Sequence, residues 1–330
     1  MWTLPAIPVT RELRRIAVLT SGGDAPGMNA AIRAVTRTAC SRGIEVAGIE
    51  RGFSGLVEGR QQALDMAAVG GILQRGGTIL KTDRCADFAA PEVRAAAAAR
   101  LRADGVDGLI VIGGNGSLTG AHLLATETEL AVIGLPGTID NDIAGTEDCI
   151  GFDTAVNTAL EAIDRIRDTA HSHERLFLVE VMGRSSGFIA MAVGIAGGAE
   201  AIVLPEQYPD AQTVLATLSP RPKASSLIVV AEGTDPNYTQ RLTARLGELG
   251  QPARACILGH IQRGGSASGH DRVLASLLGA SAVDHLQGGH SDLMLGVRNG
   301  RVATTPLAQV ADGARELPRE WMELAHTLAS

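Results

Sequence analysis

The chain has 330 residues, 45% hydrophobic and only 3% aromatic residues, and a formal net charge of −7. This length predicts two α/β lobes of about 150 residues each. No block of Lys or Arg is present, so binding to nucleic acid or to an anionic membrane is not expected. No apolar run approaches the ~20 residues that span a bilayer.

Short apolar runs that end at glycine or a polar turn predict buried strands, and helical patterns lie between them. The predicted strands are Ile16–Leu19, Val46–Ile49, Leu109–Ile112, Ala131–Leu135, Leu176–Val181, Ala201–Leu204 and Leu227–Ala231. The predicted helices are Met28–Cys40, Pro91–Ala103, Ser117–Leu124, Phe152–Ala170, Phe188–Ala196, Tyr238–Leu249 and Asp271–Gln287. This alternation predicts mostly parallel sheets, which bind ligands beyond the carboxyl ends of their strands.

Two glycine-rich turns follow predicted strands. In the first, SGGDAPG, Gly22 and Gly23 allow an anion to approach the backbone closely, although the spacing is neither GxGxxG nor a Walker pattern. The second turn is Gly113 to Ser117, with Asn115 at its tip. Each alone is equally an ordinary strand-to-helix turn, but two such turns at neighbouring strand ends suit one polyphosphate.

An acidic segment, GLPGTIDNDIAGTED, follows the strand Ala131–Leu135. Asp140 and Asp142 are one residue apart, so in an extended loop their side chains point in opposite directions and have different roles. One suits a general base, and the other suits a metal or the orientation of the loop. The alternative is an Asx-rich turn with solvated carboxylates.

Basic residues lie beside later glycine turns. They are Arg175, Arg184, Arg254, His260 and Arg263. Arginine in such places suits phosphate esters, because the guanidinium group matches the geometry of phosphate oxygens. Each arginine alone is equally explained by a surface ion pair, and His260 by a structural role.

The four cysteines, Cys40, Cys85, Cys149 and Cys256, are scattered and form no CxxC pair. Reduced thiols in a cytoplasmic protein are therefore expected. The first residues also lack the order of a secretory signal, since their positive charges follow the apolar part.

Taken together, the motifs TSGGDAPGMNAAIR, IGGNGSLTGA, GLPGTIDNDI, VEVMGR and LGHIQRGG resemble those of the bacterial ATP-dependent 6-phosphofructokinases, in the same order and over nearly the whole chain. The resemblance implies two similar three-layer α/β lobes with mostly parallel sheets. Residues 1–151 plus 264–312 would form a larger ATP-binding lobe, and residues 152–263 plus 313–330 a smaller lobe that binds fructose 6-phosphate.

The resemblance also implies phosphoryl transfer from Mg-ATP to the 1-hydroxyl of fructose 6-phosphate. Asp140 matches the catalytic base, and Arg184, Thr138 and Arg84 match its catalytic partners. The matching ATP-contacting positions are Gly23, Arg84, Cys85, Gly114, Asn115, Gly116 and Ser117. The matching sugar-phosphate positions are Thr138, Ile139, Asp140, Asp142, Arg175, Met182, Gly183, Arg184, Glu232, Arg254, His260, Ile261, Gln262 and Arg263. In the family Arg175 and Arg254 come from a neighbouring subunit, so a homotetramer with shared sites is implied.

Asn115 stands where the family has the aspartate that holds Mg²⁺. An amide oxygen can still bind Mg²⁺ or one of its waters, but it carries no net charge. A weaker metal site, a substitution introduced to inactivate the enzyme, and a sugar-phosphate-binding or regulatory paralogue all remain open. A pyrophosphate-dependent enzyme is a further alternative. Against it, Gly116 and Gly137 stand where those enzymes carry Asp and Lys, and small residues leave room for a nucleoside.

A regulatory phosphate site is matched in part. Its positions are Arg33, Arg37, Arg167, Gly198, Glu200, Arg221 and Lys223, whereas Met66, Ala67, Gly71 and Ala224 replace the polar, aromatic or charged residues of the family. An anion is still expected to bind there, but these replacements argue against regulation by ADP or phosphoenolpyruvate. Arg33 and Arg37, one helical turn apart, are equally a solvated helix face.

Overall fold

The structure is a computed structural model that describes residues 2–205, 207–218 and 226–329. The chain divides into two compact units. Unit 1 comprises Met1–Thr138, Ile143–Asp153 and Arg263–Arg315, and unit 2 comprises Ile139–Asp142, Thr154–Gln262 and Glu316–Ser330.

The strands are β1 (Arg15–Ser21), β2 (Glu45–Ile49), β3 (Gln61–Leu64), β4 (Gly108–Gly113), β5 (Ala131–Pro136), β6 (Leu176–Val181), β7 (Ala201–Val203), β8 (Ser226–Ala231), β9 (Ala253–Ile257), β10 (Leu293–Arg298) and β11 (Arg301–Pro306). The α-helices are α1 (Met28–Ser41), α2 (Gly52–Glu58), α3 (Pro91–Ala103), α4 (Asn115–Glu127), α5 (Phe152–His173), α6 (Phe188–Ala196), α7 (Ala211–Leu218), α8 (Tyr238–Glu248), α9 (Gly269–Gln287), α10 (Leu307–Asp312) and α11 (Arg319–Ala329). Short 3-10 helices span Ala86–Ala89 and Gly259–Arg263.

Each unit is built on one sheet. The sheet of unit 1 has seven strands in the order β11-β10-β5-β4-β1-β2-β3, and only β3 and β11 run antiparallel to their neighbours. The sheet of unit 2 has four parallel strands in the order β7-β8-β6-β9. The prediction of an α/β fold with mostly parallel sheets is therefore confirmed.

Local sequence explains where several helices begin. Pro91 opens α3, where its missing N–H costs nothing, and five alanines follow. The Ser268 hydroxyl caps α9 by accepting a hydrogen bond from the Asp271 N–H at 3.2 Å. Continuous apolar strands such as β4 and β5 are buried along their whole length, as expected for parallel strands covered on both faces.

The prediction of α4 was wrong at its start. The helix begins at Asn115 rather than Ser117, so Asn115 and Gly116 belong to its first turn and not to the loop before it. Asn and Gly have poor intrinsic helix propensity, which moves the predicted start too far along the chain. Four strands (β3, β9, β10 and β11) and four helices (α2, α7, α10 and α11) were not predicted.

Within the described residues, no helix combines the length and the apolar character needed to cross a bilayer.

Candidate active site

Three strand ends meet at one edge of the unit-1 sheet. Ser21 at the end of β1 pairs in register with Gly113 at the end of β4, and Gly113 pairs with Pro136 at the end of β5. The segments that follow these strands therefore lie side by side. A Cβ at Gly22 would lie 3.1 Å from the Ser117 hydroxyl, and one at Gly114 would lie 3.7 Å from the Thr138 Cβ. The two predicted glycine turns are thus neighbours.

The first turn of α4 presents backbone donors at this edge. The N–H groups of Ser117 and Leu118 both bond to the Gly114 carbonyl at 3.0 Å. Ahead of these two residues, the N–H groups of Asn115 and Gly116 have no acceptor within the helix, and the helix dipole favours negative charge there. This end of α4 is therefore suited to hold phosphate oxygens.

Asn115 is the first residue of α4, and its side-chain oxygen Oδ1 is buried without a hydrogen-bond partner among the described residues. A buried amide oxygen without a donor is an unfavourable arrangement unless a ligand supplies one. A metal ion or its bound water would satisfy it. Within the described part of the chain, no group of three or more His, Cys, Asp or Glu residues could hold a metal.

A network of buried polar contacts positions the segment that carries Arg84 and Cys85. Asn29, only 1% exposed, donates to the carbonyls of Arg75 and Gly76 and accepts from the Ile79 N–H. The Thr82 hydroxyl donates to the Gly22 carbonyl at 2.7 Å. Because the segment is bonded to the first glycine turn, the exposed Arg84 side chain starts beside that turn.

Gly116 and Gly137 bear on the choice between ATP and pyrophosphate, and they differ in the free space around them. A Cβ at Gly116 would meet nothing within 4 Å, so the space that a side chain of residue 116 would enter is open. A Cβ at Gly137 would lie 3.0 Å from Ile112 Cγ2 and 3.1 Å from Met28 Cε. Glycine at 137 is therefore explained by close packing, and the expectation that it leaves room for a nucleoside was wrong for this position.

In unit 2 the sugar-phosphate candidates gather at the carboxyl ends of β6 and β8, which are adjacent parallel strands. The Glu232 carboxylate accepts a hydrogen bond from the Arg184 N–H at 2.9 Å, and the Glu232 N–H donates to the Val181 carbonyl at 2.9 Å. Arg184 has φ +53°. A left-handed conformation is uncommon for a residue other than glycine, and it often marks a functional turn.

The segment with Asp140 is bonded to this same turn. The Ser186 hydroxyl donates to the Asp140 carbonyl at 3.0 Å, and the Ser186 N–H donates to the Gly183 carbonyl at 2.8 Å. Asp140 is 4% exposed, and the next residue, Asn141, has φ +53°. Unit 2 thus holds Asp140, Arg184 and Glu232 in one cluster, with Met182, Gly183, Ile139 and Asp142 beside them in sequence.

Gln262 connects the end of β9 to the same cluster. It is fully buried, and its side-chain oxygen accepts the Met182 N–H at 2.8 Å. Its Nε2 has no hydrogen-bond partner among the described residues. His260 and Ile261, in the same 3-10 helix as Gln262, have exposed side chains.

Arg175 and Arg254 are not brought to this cluster within the chain. Arg175 directly precedes β6, and Arg254 pairs in register with Phe177 near the start of that strand. The six residues of β6 separate them from Met182, about 20 Å of extended backbone. Both side chains are exposed.

Burial and a nearby charge raise the pKa of one carboxyl group beside the cluster, that of Glu180. Half-burial raises the pKa of Glu180, and the neighbouring Glu232 carboxylate raises it further. Glu180 was not singled out from the sequence, nor were Ser186 and Thr82.

The candidate effector residues belong to both units. Arg33 and Arg37 lie on α1 of unit 1. In unit 2 the Arg167 guanidinium donates to the carbonyls of Gly197 and Gly198 and lies 4.0 Å from the Glu200 carboxylate. Arg221, Lys223 and Ala224 lie outside the described residues.

Comparisons with known proteins agree with this geometry. Residues 15–286 match the family model described as Phosphofructokinase. The chain is 53% identical over 321 residues to the ATP-dependent 6-phosphofructokinase 1 of Thermus thermophilus, covering 96% of this chain and 100% of the relative. It is 52% identical over 307 residues to the ATP-dependent 6-phosphofructokinase of Coxiella burnetii, covering 92% of this chain and 94% of the relative.

A solved structure of phosphofructokinase from Saccharomyces cerevisiae superposes with a TM-score of 0.82 at 35% identity. The match covers 96% of this chain and 48% of the yeast chain, so this chain spans about half the length of that relative.

Proposed function

Because the chain belongs to the phosphofructokinase family, we propose that it transfers the γ-phosphoryl group of ATP to the 1-hydroxyl of fructose 6-phosphate, as a kinase of glycolysis. The observation that carries this proposal is the unit-2 cluster, in which hydrogen bonds join the Asp140 segment to the turn that bears Arg184 and Glu232. The cluster offers a carboxylate to accept the hydroxyl proton and a guanidinium to balance charge on the transferring group.

We propose that unit 1 binds the nucleotide and unit 2 the sugar phosphate. In unit 1, the N–H groups of the Gly22–Asp24 turn and of the first turn of α4 would cradle the phosphates, and Arg84 would add positive charge. In unit 2, Glu232 would accept a sugar hydroxyl, and Met182, Gly183 and Gln262 would line the sugar. The remaining proposed contacts are Thr138, Ile139, Asp142, His260, Ile261 and Arg263.

The residues present fit Mg²⁺ as the accompanying cation. Asn115 would hold it or one of its waters through Oδ1, the buried oxygen that has no hydrogen-bond partner among the described residues. When bound, the ion would neutralise charge on the phosphate oxygens. Mg²⁺ commonly takes one or two protein oxygens and completes its shell with water and phosphates, so one amide oxygen is a usable but weak protein ligand.

Assay of both phosphoryl donors tests the function. With fructose 6-phosphate and Mg²⁺, we expect ATP to support turnover at least about 100-fold faster than pyrophosphate, and product analysis to find fructose 1,6-bisphosphate and ADP. Equal or faster turnover with pyrophosphate would contradict the choice of donor. Binding of fructose 6-phosphate without turnover on either donor would favour the regulatory-paralogue alternative.

We also propose a homotetramer in which Arg175 and Arg254 bind the sugar 6-phosphate of a neighbouring subunit. Their distance along the strands from Met182 supports this arrangement, because both are exposed and neither lies at the Asp140 cluster of its own chain.

A cytoplasmic location is proposed as well, since no disulfide joins the four cysteines, all of which lie in described residues.

Subunit mixing tests the shared site. Arg175→Ala should raise KM for fructose 6-phosphate at least about tenfold, because a charge-assisted contact is lost. Hybrids of Arg175→Ala and Asp140→Asn subunits should recover activity, because some sites combine an intact Asp140 with an intact partner Arg175. Arg165→Ala is the matched control on α5, since Arg165 pairs with Glu161 at the surface. Mixtures that show only the sum of the separate activities would contradict sharing.

We propose that the regulatory anion site is retained only in part, with Arg33 and Arg37 in unit 1 and Arg167, Gly198 and Glu200 in unit 2 as its remaining members.

A further inference from the structure

Residues 2–13, here called the strap, lie ahead of β1 and contribute to neither of the proposed binding sites. The strap pairs with the edge of the unit-1 sheet. The Thr3 N–H donates to the Gly300 carbonyl at 3.1 Å, and the Val302 N–H donates to the Thr3 carbonyl at 3.0 Å. Thr3 therefore extends the sheet beyond β11 by one parallel bridge, formed with Arg301.

A second anchor holds the strap at the carboxyl end of α9. The N–H groups of Thr10 and Arg11 both donate to the Gln287 carbonyl, at 2.9 and 2.8 Å. A Cβ at Gly288 would lie 2.5 Å from Ile7 Cγ2, so the strap packs directly on the residue that follows the helix. Main-chain bonds and close packing thus fix this part of the strap.

The strap reaches both ends of α9. At the amino end of the helix, the Trp2 indole meets the His270 ring with the ring centroids 4.9 Å apart and the planes at 76°. An extended chain covers about 26 Å from residue 2 to residue 10, and the 19 residues of α9 form a helix about 28 Å long. The strap is therefore as long as the helix that it follows.

A carboxylate holds the His270 ring. The Nε2 atom of His270 lies 3.4 Å from the Asp148 carboxylate, and the side chain is 40% exposed, so it can exchange protons with water. Two more carboxylates face it, those of Asp153 in the first turn of α5 and of Asp271 on α9. The hydrogen bond to Asp148 and these charges raise the pKa of His270, although partial burial opposes them.

Protonation of His270 strengthens its contact with Trp2. A cation within about 6 Å of an indole centroid is attracted by the π electrons, and a neutral imidazole lacks that charge. By linkage, a proton that favours the docked strap also binds more tightly when the strap is docked. Docking of Trp2 is therefore favoured at acidic pH and is lost as pH rises through the raised pKa of His270.

We propose that residues 2–13 form a strap along α9 and that His270 latches its Trp2 end in a pH-dependent manner, with Asp148 as the counter-ion of the protonated ring. The other anchor consists of main-chain bonds to the Gln287 carbonyl, which do not titrate in this range. Alkaline pH therefore releases Trp2 and leaves the strap attached at the carboxyl end of α9. The latch changes the order of the strap and the stability of unit 1, and it leaves kcat unchanged.

The fluorescence of Trp2 tests the latch. The chain has two tryptophans, and Trp321→Phe, at an exposed position on α11, leaves Trp2 as the only one. In that background we expect the acrylamide quenching constant to rise at least about threefold between about pH 5 and pH 9, with a midpoint above about 6.5. His270→Gln should give the high constant at every pH. Asp148→Asn should lower the midpoint by about one pH unit, because the counter-ion is lost.

His122→Gln is the matched control. It removes a second histidine–aspartate pair of unit 1, in which His122 on α4 lies 2.8 Å from the Asp292 carboxylate. The transition of Trp2 should keep its midpoint in this variant. The kcat of every variant should stay within about twofold of the unaltered protein.

Thermal unfolding gives a second measurement that needs no fluorescence. At about pH 6, Trp2→Ala and His270→Gln should each lower the melting temperature by about 2–4 °C. The double variant should melt no lower than the single variants, because both substitutions remove the same contact. At about pH 9 these differences should shrink, since the latch is already released.

Three outcomes would overturn the proposal. A quenching constant of Trp2 that does not change with pH would show that no titrating group controls its docking. A transition that survives in His270→Gln, or that disappears in His122→Gln, would assign the titration to another group. Additive losses of melting temperature from Trp2→Ala and His270→Gln would show that the two rings do not share a contact.

Discussion

Replacing Asp140 with Asn is expected to lower kcat for fructose 6-phosphate phosphorylation by about 10²–10⁴-fold, the usual contribution of a general base. An amide has nearly the same shape as the carboxylate but cannot accept the hydroxyl proton. Asp140 is 4% exposed and its segment is held through its main-chain carbonyl by Ser186, a bond that the substitution leaves in place. Steady-state kinetics should therefore find a large loss in kcat with a small change in KM.

Asp148→Asn is the control for this variant. Asp148 lies in the same acidic segment of the sequence, but its carboxylate is 3.4 Å from the His270 ring. Its replacement should leave kcat within about twofold, as is usual for a surface pair. If Asp140→Asn kept kcat within tenfold of the unaltered protein, Asp140 would not be the base, and the assignment would have to move to another group.

Replacing Asn115 with Asp is expected to lower the Mg²⁺ concentration for half-maximal activity by about 10–100-fold. The substitution puts a full negative charge on an atom that is already buried and without a hydrogen-bond partner among the described residues. Ligand charge is a main determinant of affinity for hard cations, and attraction between close charges is strong where water is largely excluded. The carboxylate also lies at the positive end of α4, which reduces its cost when no cation is bound.

The control is Asn299→Asp. The chain has a second Asn-Gly pair at Asn299-Gly300, exposed at the turn between β10 and β11. It receives the same change of charge on a hairpin turn whose Asn299 N–H bonds to the Glu147 carboxylate and not to either glycine turn, so its Mg²⁺ dependence should not change. Asn-Gly pairs can deamidate, so the mass of each preparation must confirm Asn at both positions. An Mg²⁺ dependence of Asn115→Asp equal to that of the unaltered protein would exclude residue 115 as a metal ligand.

How far the fold could be predicted depended on burial. β6 was predicted with its observed bounds because the four consecutive apolar residues 176–179 follow the polar Arg175, and Val181 is the last residue of the pattern before the Met182-Gly183 turn. β9 was missed because it is an edge strand beside β6, and all five of its residues are partly or fully exposed. β10 and β11 could have been predicted, because Asn-Gly is a favoured hairpin turn and Asn299-Gly300 joins the two strands. The two residues have φ +50° and +72°.

The candidate site could also be predicted only in part. Glycine clusters directly after apolar runs identified the turns at Gly22 and Gly114, because local sequence alone determines that pattern. The groups that hold these turns could not be predicted. The Ser186 hydroxyl bonds to a carbonyl 46 residues away, and the Thr82 hydroxyl to one 60 residues away. A contact between a side chain and a distant main-chain carbonyl leaves no periodicity or spacing in the sequence.

The most direct test is the turnover number of the unaltered protein with Mg-ATP and fructose 6-phosphate, after mass spectrometry has verified Asn at residue 115. We predict a kcat in the range of about 1–100 s⁻¹ that is typical of kinases, reached at elevated Mg²⁺. Absence of turnover at saturating Mg²⁺, with fructose 6-phosphate still bound, would contradict the account, because the amide oxygen of Asn115 would then not suffice for catalysis.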